Sequence, residues 1–322
     1  MRILIVGAGV IGTIYGWTFS EAGHDVTHFV RPGKSARFVA GIPIDMLDNR
    51  KGHKKQFVGR YDLKVTETLT PSDGFDLVIV PTKPYQLEEA LRQTVPNTGP
   101  TDYLLLTQNW HGTAKIDAIL PQSPYLYGDA KAGGTFKDGT LIAAILPSID
   151  LGQVGGEQGD YLKKVATLFE GVGIKPTLHE NILHYIWVQY AINAGLWPAL
   201  VRAGSLDALL RDRRTSDLSL RAVKECVDVV ARRGVDLNKY PDTRMFYKTS
   251  FLTRQIAGLV ITLMFRFNKS VQRSSAHALA DPLEIKTAYY DLLSTGRELG
   301  VEMPVMSSFE NDIIRFAVSS QK

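Results

Sequence analysis

Apolar residues fall in short unbroken runs through the first half of the chain and at helical spacing through the second. Ile3 to Val6 is β-branched and apolar throughout, the pattern of a strand buried on both faces of a parallel sheet. Asp76 to Pro81 and Tyr103 to Thr107 repeat it, and His24 to Val30 alternates as a further strand. Tyr125 to Asp129 is followed by the glycine pair Gly133-Gly134 and by Thr140 to Leu151, which reads as an antiparallel segment. Helices are predicted over Thr13 to Glu21, Leu87 to Val95 and Tyr161 to Gly171, with Gly23 as the C′ residue of the first. Ile174 to Leu178 closes the region as its last strand. Strands alternating with helices define an α/β fold with a doubly wound, Rossmann-type sheet. Gly41 to Lys64, polar and irregular around His53-Lys54-Lys55, is expected to be a solvated hairpin or loop.

From His179 the pattern turns all-helical, over Glu180 to Ala203, Thr215 to Arg233, residues 250 to 265, and a last helix that stops at Gly300. That last helix opens with Asp281 as N-cap, Pro282 at its first position and Glu284 at its third, a capping arrangement. Two domains follow, residues 1–178 and 179–322.

The first strand runs directly into Gly7-Ala8-Gly9-Val10-Ile11-Gly12, a G-x-G-x-x-G that opens an apolar helix. The first glycine permits the tight turn, the second lets backbone approach a pyrophosphate, and the third lets helix pack close on strand. The pyrophosphate would lie on the positive end of the helix, among its unpaired N–H groups. An acidic residue at the end of the second strand would hold the ribose of NAD; this chain has Arg31 there, with Lys34 and Arg37 behind it. Basic side chains suit the 2′-phosphate of NADP, which Arg31 can grip with two parallel hydrogen bonds.

Lys83 and Asn109 each fall just beyond the carboxyl end of a strand, where open α/β sheets bind ligands. Lys83 reads equally well as a surface lysine in a βα loop. The Asn109 amide suits either a ribose or substrate oxygen or an Asx-type turn beside Gly112. In the long helix, Gln189, Asn193 and Trp197 stand at i, i+4 and i+8, on one face. Two amides in an apolar segment need partners, either each other and the backbone or a ligand.

Composition narrows the class. At 322 residues, 44% hydrophobic and 22% charged, the chain has room for two cores and the balance of a globular protein. A net charge of +4 is small for this length and points to neither nucleic acid nor membrane as partner. Cys226 is the only cysteine, so neither an internal disulfide nor a thiolate metal cluster is available, and no metal site is expected. The apolar N-terminus enters the glycine turn without a cleavage region, so the expected location is the cytoplasm. Ile256 to Phe265, flanked by Arg254 and Arg266, is about half the roughly 20 residues of a spanning helix. It reads as a buried or subunit-interface helix, compatible with a homodimer.

In this order, the pieces resemble the ketopantoate reductase family (2-dehydropantoate 2-reductases). The residues that carry the resemblance are Gly7 to Gly12, Arg31, Lys83, Gln108-Asn109 before Gly112, and Trp187, Asn193 and Pro198 of the long helix. Ser274-Ser275 upstream of Glu284-Ile285, and Gly300 to Pro304, complete the set. The resemblance implies a Rossmann domain joined to an all-helical substrate and dimerisation domain, with the active site in the cleft between. It also implies NADPH as hydride donor and a 2-oxo acid or related small carbonyl as acceptor. Carried over, Gly7, Ala8, Gly9, Val10, Ile11, Gly12, Arg31, Lys83, Asn109 and Gly134 form the cofactor set. Asn193, Trp197, Ser275, His277 and Glu284 meet the substrate, with Glu284, Gln189 and Asn193 the catalytic candidates.

The departures bear on catalysis. The family's catalytic lysine falls at Gln189, its second substrate asparagine at Trp197, and the segment between Ser275 and Glu284 is shorter than usual. Hydride delivery to a carbonyl leaves an alkoxide, which needs a positive or hydrogen-bonding group and then a proton. Glutamine offers only a neutral hydrogen bond. His184, His277 and His111 are the histidines considered as substitute acids, each also explicable as a surface or structural residue. Three readings follow: an oxidoreductase on a substrate other than ketopantoate, a cofactor-binding sensor without turnover, or an opine-type dehydrogenase.

Overall fold

The computed structural model describes residues 1–50, 55–121, 124–155, 159–247, 268–274, 279 and 281–319. The chain divides into two compact units, Met1–Leu183 with a segment that begins at Ser270, and the rest. The first unit thus reaches past the expected boundary at residue 178 and recovers a piece of chain from far downstream.

The first unit is built on one ten-stranded sheet. Its strands are β1 (Arg2–Val6), β2 (Asp25–Phe29), β3 (Ile42–Asp48), β4 (Lys55–Tyr61), β5 (Lys64–Thr66), β6 (Leu77–Val80), β7 (Asp102–Leu105), β8 (Tyr125–Lys137), β9 (Thr140–Gly152) and β10 (Lys175–His179). Their spatial order is β4-β3-β9-β8-β7-β6-β1-β2-β5, with β10 alongside β9. The run from β5 through β8 is parallel, the Rossmann-type part of the sheet. A two-residue turn then reverses the chain into antiparallel β9. Asp138 and Gly139 both have positive φ there (49° and 78°), the backbone that a type I′ hairpin turn requires.

The expectation of a solvated hairpin or loop over residues 41–64 holds as to the antiparallel pairing of β3 with β4 and needs correction as to solvation. β3 pairs with β9 inside the sheet and β4 forms a hairpin with it, leaving only β4 at an edge. Ile42, Ile44 and Met46 are buried while Pro43, Asp45 and Leu47 are less so. A period-two stripe lay within a segment whose polar content masked it.

Helices α1 (Val10–Glu21), α2 (Leu87–Thr98), α3 (Ala114–Ile119) and α4 (Asp160–Gly171) complete the unit. Tyr15 and Phe19 of α1 meet Phe169 of α4 edge-on at 5.6 and 5.4 Å, and Ile3, Ile5, Ile79 and Leu104 lie in the same core. The downstream segment Ser270–Ser274 is fastened to this unit by side chains. Ser270 and Asn49 exchange hydrogen bonds, and the Arg273 guanidinium grips the Asp45 carboxylate at 2.8 and 3.1 Å.

The second unit is helical: α5 (Ile182–Ala203), α6 (Leu206–Arg211), α7 (Arg213–Arg232), and the helices Pro282–Glu298 and Glu310–Ser319. Ser205, Asp212 and Asp281 cap their helices through side-chain oxygens, as their positions demand. Gly195 lets α5 lie flush on α7, because a Cβ there would stand 2.5 Å from the Val223 Cα. The expected helix over 250–265 lies outside the described residues. Among the described residues no helix is long and apolar enough to cross a membrane.

Candidate functional site

β1, β6, β7 and the start of β8 run in the same direction, so the residues that follow them emerge along one edge of the sheet. Gly7 leads that edge. Its φ is +92°, a conformation open to glycine, and its N–H donates to the Phe29 carbonyl at 2.7 Å. Gly9 is the N-cap of α1, so no side chain covers the helix's first N–H groups, and the first turn carries no acidic residue. Those donors and the positive helix end are available to an anion. Gly12 is the close-packing glycine: a Cβ would stand 3.0 Å from the Gly7 carbonyl oxygen and 3.4 Å from Pro81. Gly7, Ala8, Val10 and Ile11 are partly exposed, Gly9 is exposed, and Gly12 is buried.

Two further atoms at the same edge were missed by sequence reasoning as site features. The Thr82 hydroxyl oxygen beyond β6 and the Gln108 amide oxygen beyond β7 are buried and lack a hydrogen-bond partner. A buried polar atom without a partner is uncommon and expects one. The signal available in sequence was position alone, since both follow a buried strand by a few residues. With the uncapped α1 N-terminus, these atoms suit a polar ligand laid along the strand ends, as a dinucleotide would be.

Arg31, Lys34 and Arg37 are exposed just past β2 and form no ion pair among the described residues. The carboxylate in their vicinity, Glu67, is turned onto backbone. It accepts from the N–H groups of Gly33 (2.8 Å) and Ser35 (2.7 Å), and the Ser35 hydroxyl bond first, then these backbone bonds, pull its pKa down to about 2. The loop is therefore organised by one fixed anion with its cations facing solvent.

Asn109 sits at the strand end but is engaged in the turn. Its Nδ2 donates to the Gly112 carbonyl and to the Tyr127 hydroxyl, both at 2.8 Å, and its Oδ1 accepts from the Gly112 N–H at 3.0 Å. These bonds make the Asx-type turn, one of the two readings held open for this residue. Lys83 is half-buried and begins the turn before α2. Gly134 lies within β8, where a Cβ would stand 2.4 Å from the Ile142 carbonyl oxygen; its neighbour Gly133 admits the Ser274 backbone. Close backbone packing accounts for that glycine pair.

In the second unit, α5 carries Gln189, Asn193 and Trp197 on one side, as their spacing demands. Gln189 and Asn193 are half-exposed, and Trp197 is 8% exposed. Among the described residues neither amide has an intramolecular hydrogen-bond partner. Glu284 begins the helix Pro282–Glu298, where Asp281 caps its backbone N–H at 3.1 Å. Its charge acts on the Tyr190 phenol, whose pKa is raised by burial first, then by Asp291 and Glu284. Tyr190 donates to Asp291 at 2.6 Å. Glu284 thus lies within electrostatic reach of Tyr190 on α5, whose side chain points about 100° around the helix from that of Gln189.

His184 belongs to a different cluster. Its ring lies 5.6 Å from that of Trp187, over which the Arg233 guanidinium sits at 3.7 Å. Burial and then the charges of Lys239 and Arg233 lower its pKa, so it is disfavoured as an acid. His111 is exposed. Ser275 and His277 lie outside the described residues.

A Rossmann-type sheet carrying a glycine turn of the dinucleotide type, with a helical unit after it, defines a dinucleotide-binding fold. The particular family follows from comparison with known proteins. The model for "Ketopantoate reductase PanE/ApbA" matches residues 3–153, and that for its C-terminal domain matches residues 181–311. The chain belongs to the ketopantoate reductase family, oxidoreductases acting on a CH–OH group with a nicotinamide cofactor. The 2-dehydropantoate 2-reductase of Pyrococcus abyssi is 27% identical over 84% of this chain and 87% of its own length. That of Aquifex aeolicus is 25% identical over 72% and 73%. In fold, the chain superposes on 2-dehydropantoate 2-reductase from Geobacter metallireducens with a TM-score of 0.73 at 18% identity, over 98% and 99% of the two chains. D-mandelate dehydrogenase in ternary complex with NADH and anilino(oxo)acetate gives 0.73 at 17% identity, over 99% of each.

Proposed function

We propose that this chain is an NADP-dependent reductase of 2-oxo acids or related carbonyls, with a substrate other than ketopantoate. The single observation that carries the cofactor half is the loop after β2, where three exposed cations meet no competing carboxylate because Glu67 is committed to backbone N–H groups. Arg31 then pairs with the 2′-phosphate, supported by Lys34 and Arg37. The backbone from Gly7 to Gly12 receives the pyrophosphate, and Thr82 and Gln108 offer polar atoms beyond it. Lys83 and Gly134 complete the expected cofactor set, Gly134 through its backbone. NADPH, when bound, supplies the hydride.

The chemical half rests on α5. Gln189 and Asn193 present amide donors without partners in their own unit, and they hydrogen-bond the substrate's carbonyl oxygen as it gains charge. Glu284 orients the substrate from the start of its helix. A lysine at position 189 would add a positive charge and a proton; an oxyanion donor of this kind is typically worth about 3–4 kcal/mol. Trp197, where the family has a polar substrate contact, favours a bulkier and less polar acid. The aryl-substituted oxoacetate bound by the D-mandelate dehydrogenase neighbour is an example of that class.

The test is NADPH and NADH oxidation followed across small, branched and aryl 2-oxo acids. Preference for NADPH and for a bulky acid is expected. Turnover of ketopantoate at an ordinary enzymatic rate, roughly 1–1000 per second, would sink the altered-substrate reading. Gln189 also favours a second reading, cofactor binding without turnover. Tight NADPH binding with no oxidation by any carbonyl, alone or with an added amine, would establish it.

A further inference from the structure

His28 is the fourth of the five residues of β2 and has no exposed surface, at a position where a strand core ordinarily holds an aliphatic side chain. Both ring nitrogens are bonded. Nδ1 is 2.9 Å from the carbonyl oxygen of Gly7, and Nε2 is 3.1 Å from the Tyr61 hydroxyl. A carbonyl oxygen only accepts, so Nδ1 carries the ring proton and donates it. Nε2 is then the acceptor, and the Tyr61 hydroxyl must donate to it. That hydroxyl's remaining capacity is as acceptor, so the Ser20 hydroxyl, 3.2 Å away, donates in turn. Four groups form a chain of fixed direction from Ser20 of α1, through Tyr61 at the end of β4, to the first glycine of the turn.

The surroundings are shaped for the ring. Gly16 stands in the interior of α1, where glycine costs a helix about 1 kcal/mol relative to alanine. A Cβ there would lie 2.3 Å from His28 Nε2 and 2.9 Å from the Tyr61 hydroxyl. The glycine is what admits the imidazole beneath the helix. Burial pushes the His28 pKa down to about 4 and that of Tyr61 up to about 12, so both stay neutral at ordinary pH.

The bond acts on a peptide group that matters for binding. In a trans peptide the C=O of one residue and the N–H of the next point in opposite directions. Holding the Gly7 carbonyl against His28 therefore turns the Ala8 N–H away from the ring. The Gly7 N–H is held as well, by Phe29 of the same strand at 2.7 Å.

We propose that His28 is a positioning residue for the dinucleotide: its Nδ1–H bond to the Gly7 carbonyl fixes the Gly7–Ala8 peptide with the Ala8 N–H presented to the pyrophosphate. The inference rests on the reading of the glycine turn as a nicotinamide-dinucleotide site. His28 reaches the cofactor only through the backbone it holds.

The experiment compares wild-type, His28→Leu, His28→Asn and Tyr61→Phe proteins by NADPH titration calorimetry, thermal unfolding and, where a substrate turns over, steady-state kinetics. His28→Leu should lose about tenfold in NADPH affinity, the equivalent of one good hydrogen bond. His28→Asn, whose amide nitrogen falls near the place of Nδ1, should recover most of that loss, and Tyr61→Phe should lie between. KM for NADPH should rise with kcat unchanged. Nitrogen NMR of the wild-type ring should show the Nδ1–H tautomer, without titration from about pH 5 to 8. Variants that melt earlier yet bind NADPH like wild type would overturn the proposal. So would an Nε2–H tautomer, which decides the matter even if His28→Leu does not fold. Wild-type protein that binds neither NADPH nor NADH would remove the dinucleotide reading itself, an outcome separate from equal binding by wild type and variants.

Discussion

The edge of the sheet in the first unit and the α5 face in the second treat their polar groups in opposite ways. At the sheet edge Thr82 and Gln108 each keep an open oxygen, but the side chains that hold the glycine turn and its neighbouring loops are bound: Asn109 to Gly112 and Tyr127, Glu67 to Gly33 and Ser35, His28 to Gly7. They shape backbone, and the backbone is left to meet the ligand. On α5, Gln189 and Asn193 keep their amides without intramolecular partners among the described residues. A dinucleotide needs many weak contacts in fixed geometry, which a rigid frame supplies. A reacting carbonyl needs a few donors whose best partner exists only in the transition state. On the proposed reading, the binding edge is mostly order already made and the α5 face is mostly capacity held open.

The sharpest way to break that comparison is at Gln189. Replacing it with lysine should raise kcat for 2-oxo acid reduction by about 100- to 1000-fold, the usual worth of an oxyanion-stabilising group, with little change in NADPH affinity. A rate that stays flat would mean that α5 is not the reacting face. Next in size is Gly12→Val. Its added carbons have 3.0 Å of room before the Gly7 carbonyl, and the strain should weaken NADPH binding by about 10- to 100-fold in calorimetry. Retained affinity would show that the turn tolerates a shift and is less rigid than drawn here.

Arg31→Ala should cost NADPH about tenfold or more in kcat/KM and leave NADH almost unchanged, since only the 2′-phosphate pair is lost. An equal fall for both cofactors would contradict the charge argument. The smallest effect is expected at Glu67. Its pKa in the folded chain is depressed to about 2, below the ordinary glutamate value of about 4.3. Its contribution to stability is therefore fully present above about pH 4.3 and is lost as pH falls toward 2. The group is only partly buried, so solvent screens it and the gain is small. Melting temperatures of wild type and Glu67→Gln should differ slightly at neutral pH and converge in that acid window.

Much of the frame was visible in the chain itself. β1, β6 and β7 are unbroken apolar runs, the glycine spacing follows one of them directly, and Asp281-Pro282 marks a helix start that the structure keeps. Such features depend on neighbours a few residues away, so local sequence suffices. β3 was hidden because its apolar residues alternate with proline and aspartate, and only pairing with β9 shows why the alternation matters. The amide-bearing face of α5 was visible as spacing. Its lack of partners was not, because satisfaction of an amide depends on everything packed around it.

What the sequence by itself determined is most of the order of strands and helices, the glycine turn, the cations after β2 and the amide-bearing face of α5. Each is written in consecutive residues or a fixed helical interval. The tertiary structure alone decided which way the Asn109 amide is used, where Ser270–Ser274 is moored, and which His28 nitrogen holds the proton. Those depend on partners 18, 221 and 21 residues away. Only folding brings such groups within hydrogen-bond distance, and a hydrogen bond has no strength until they are there.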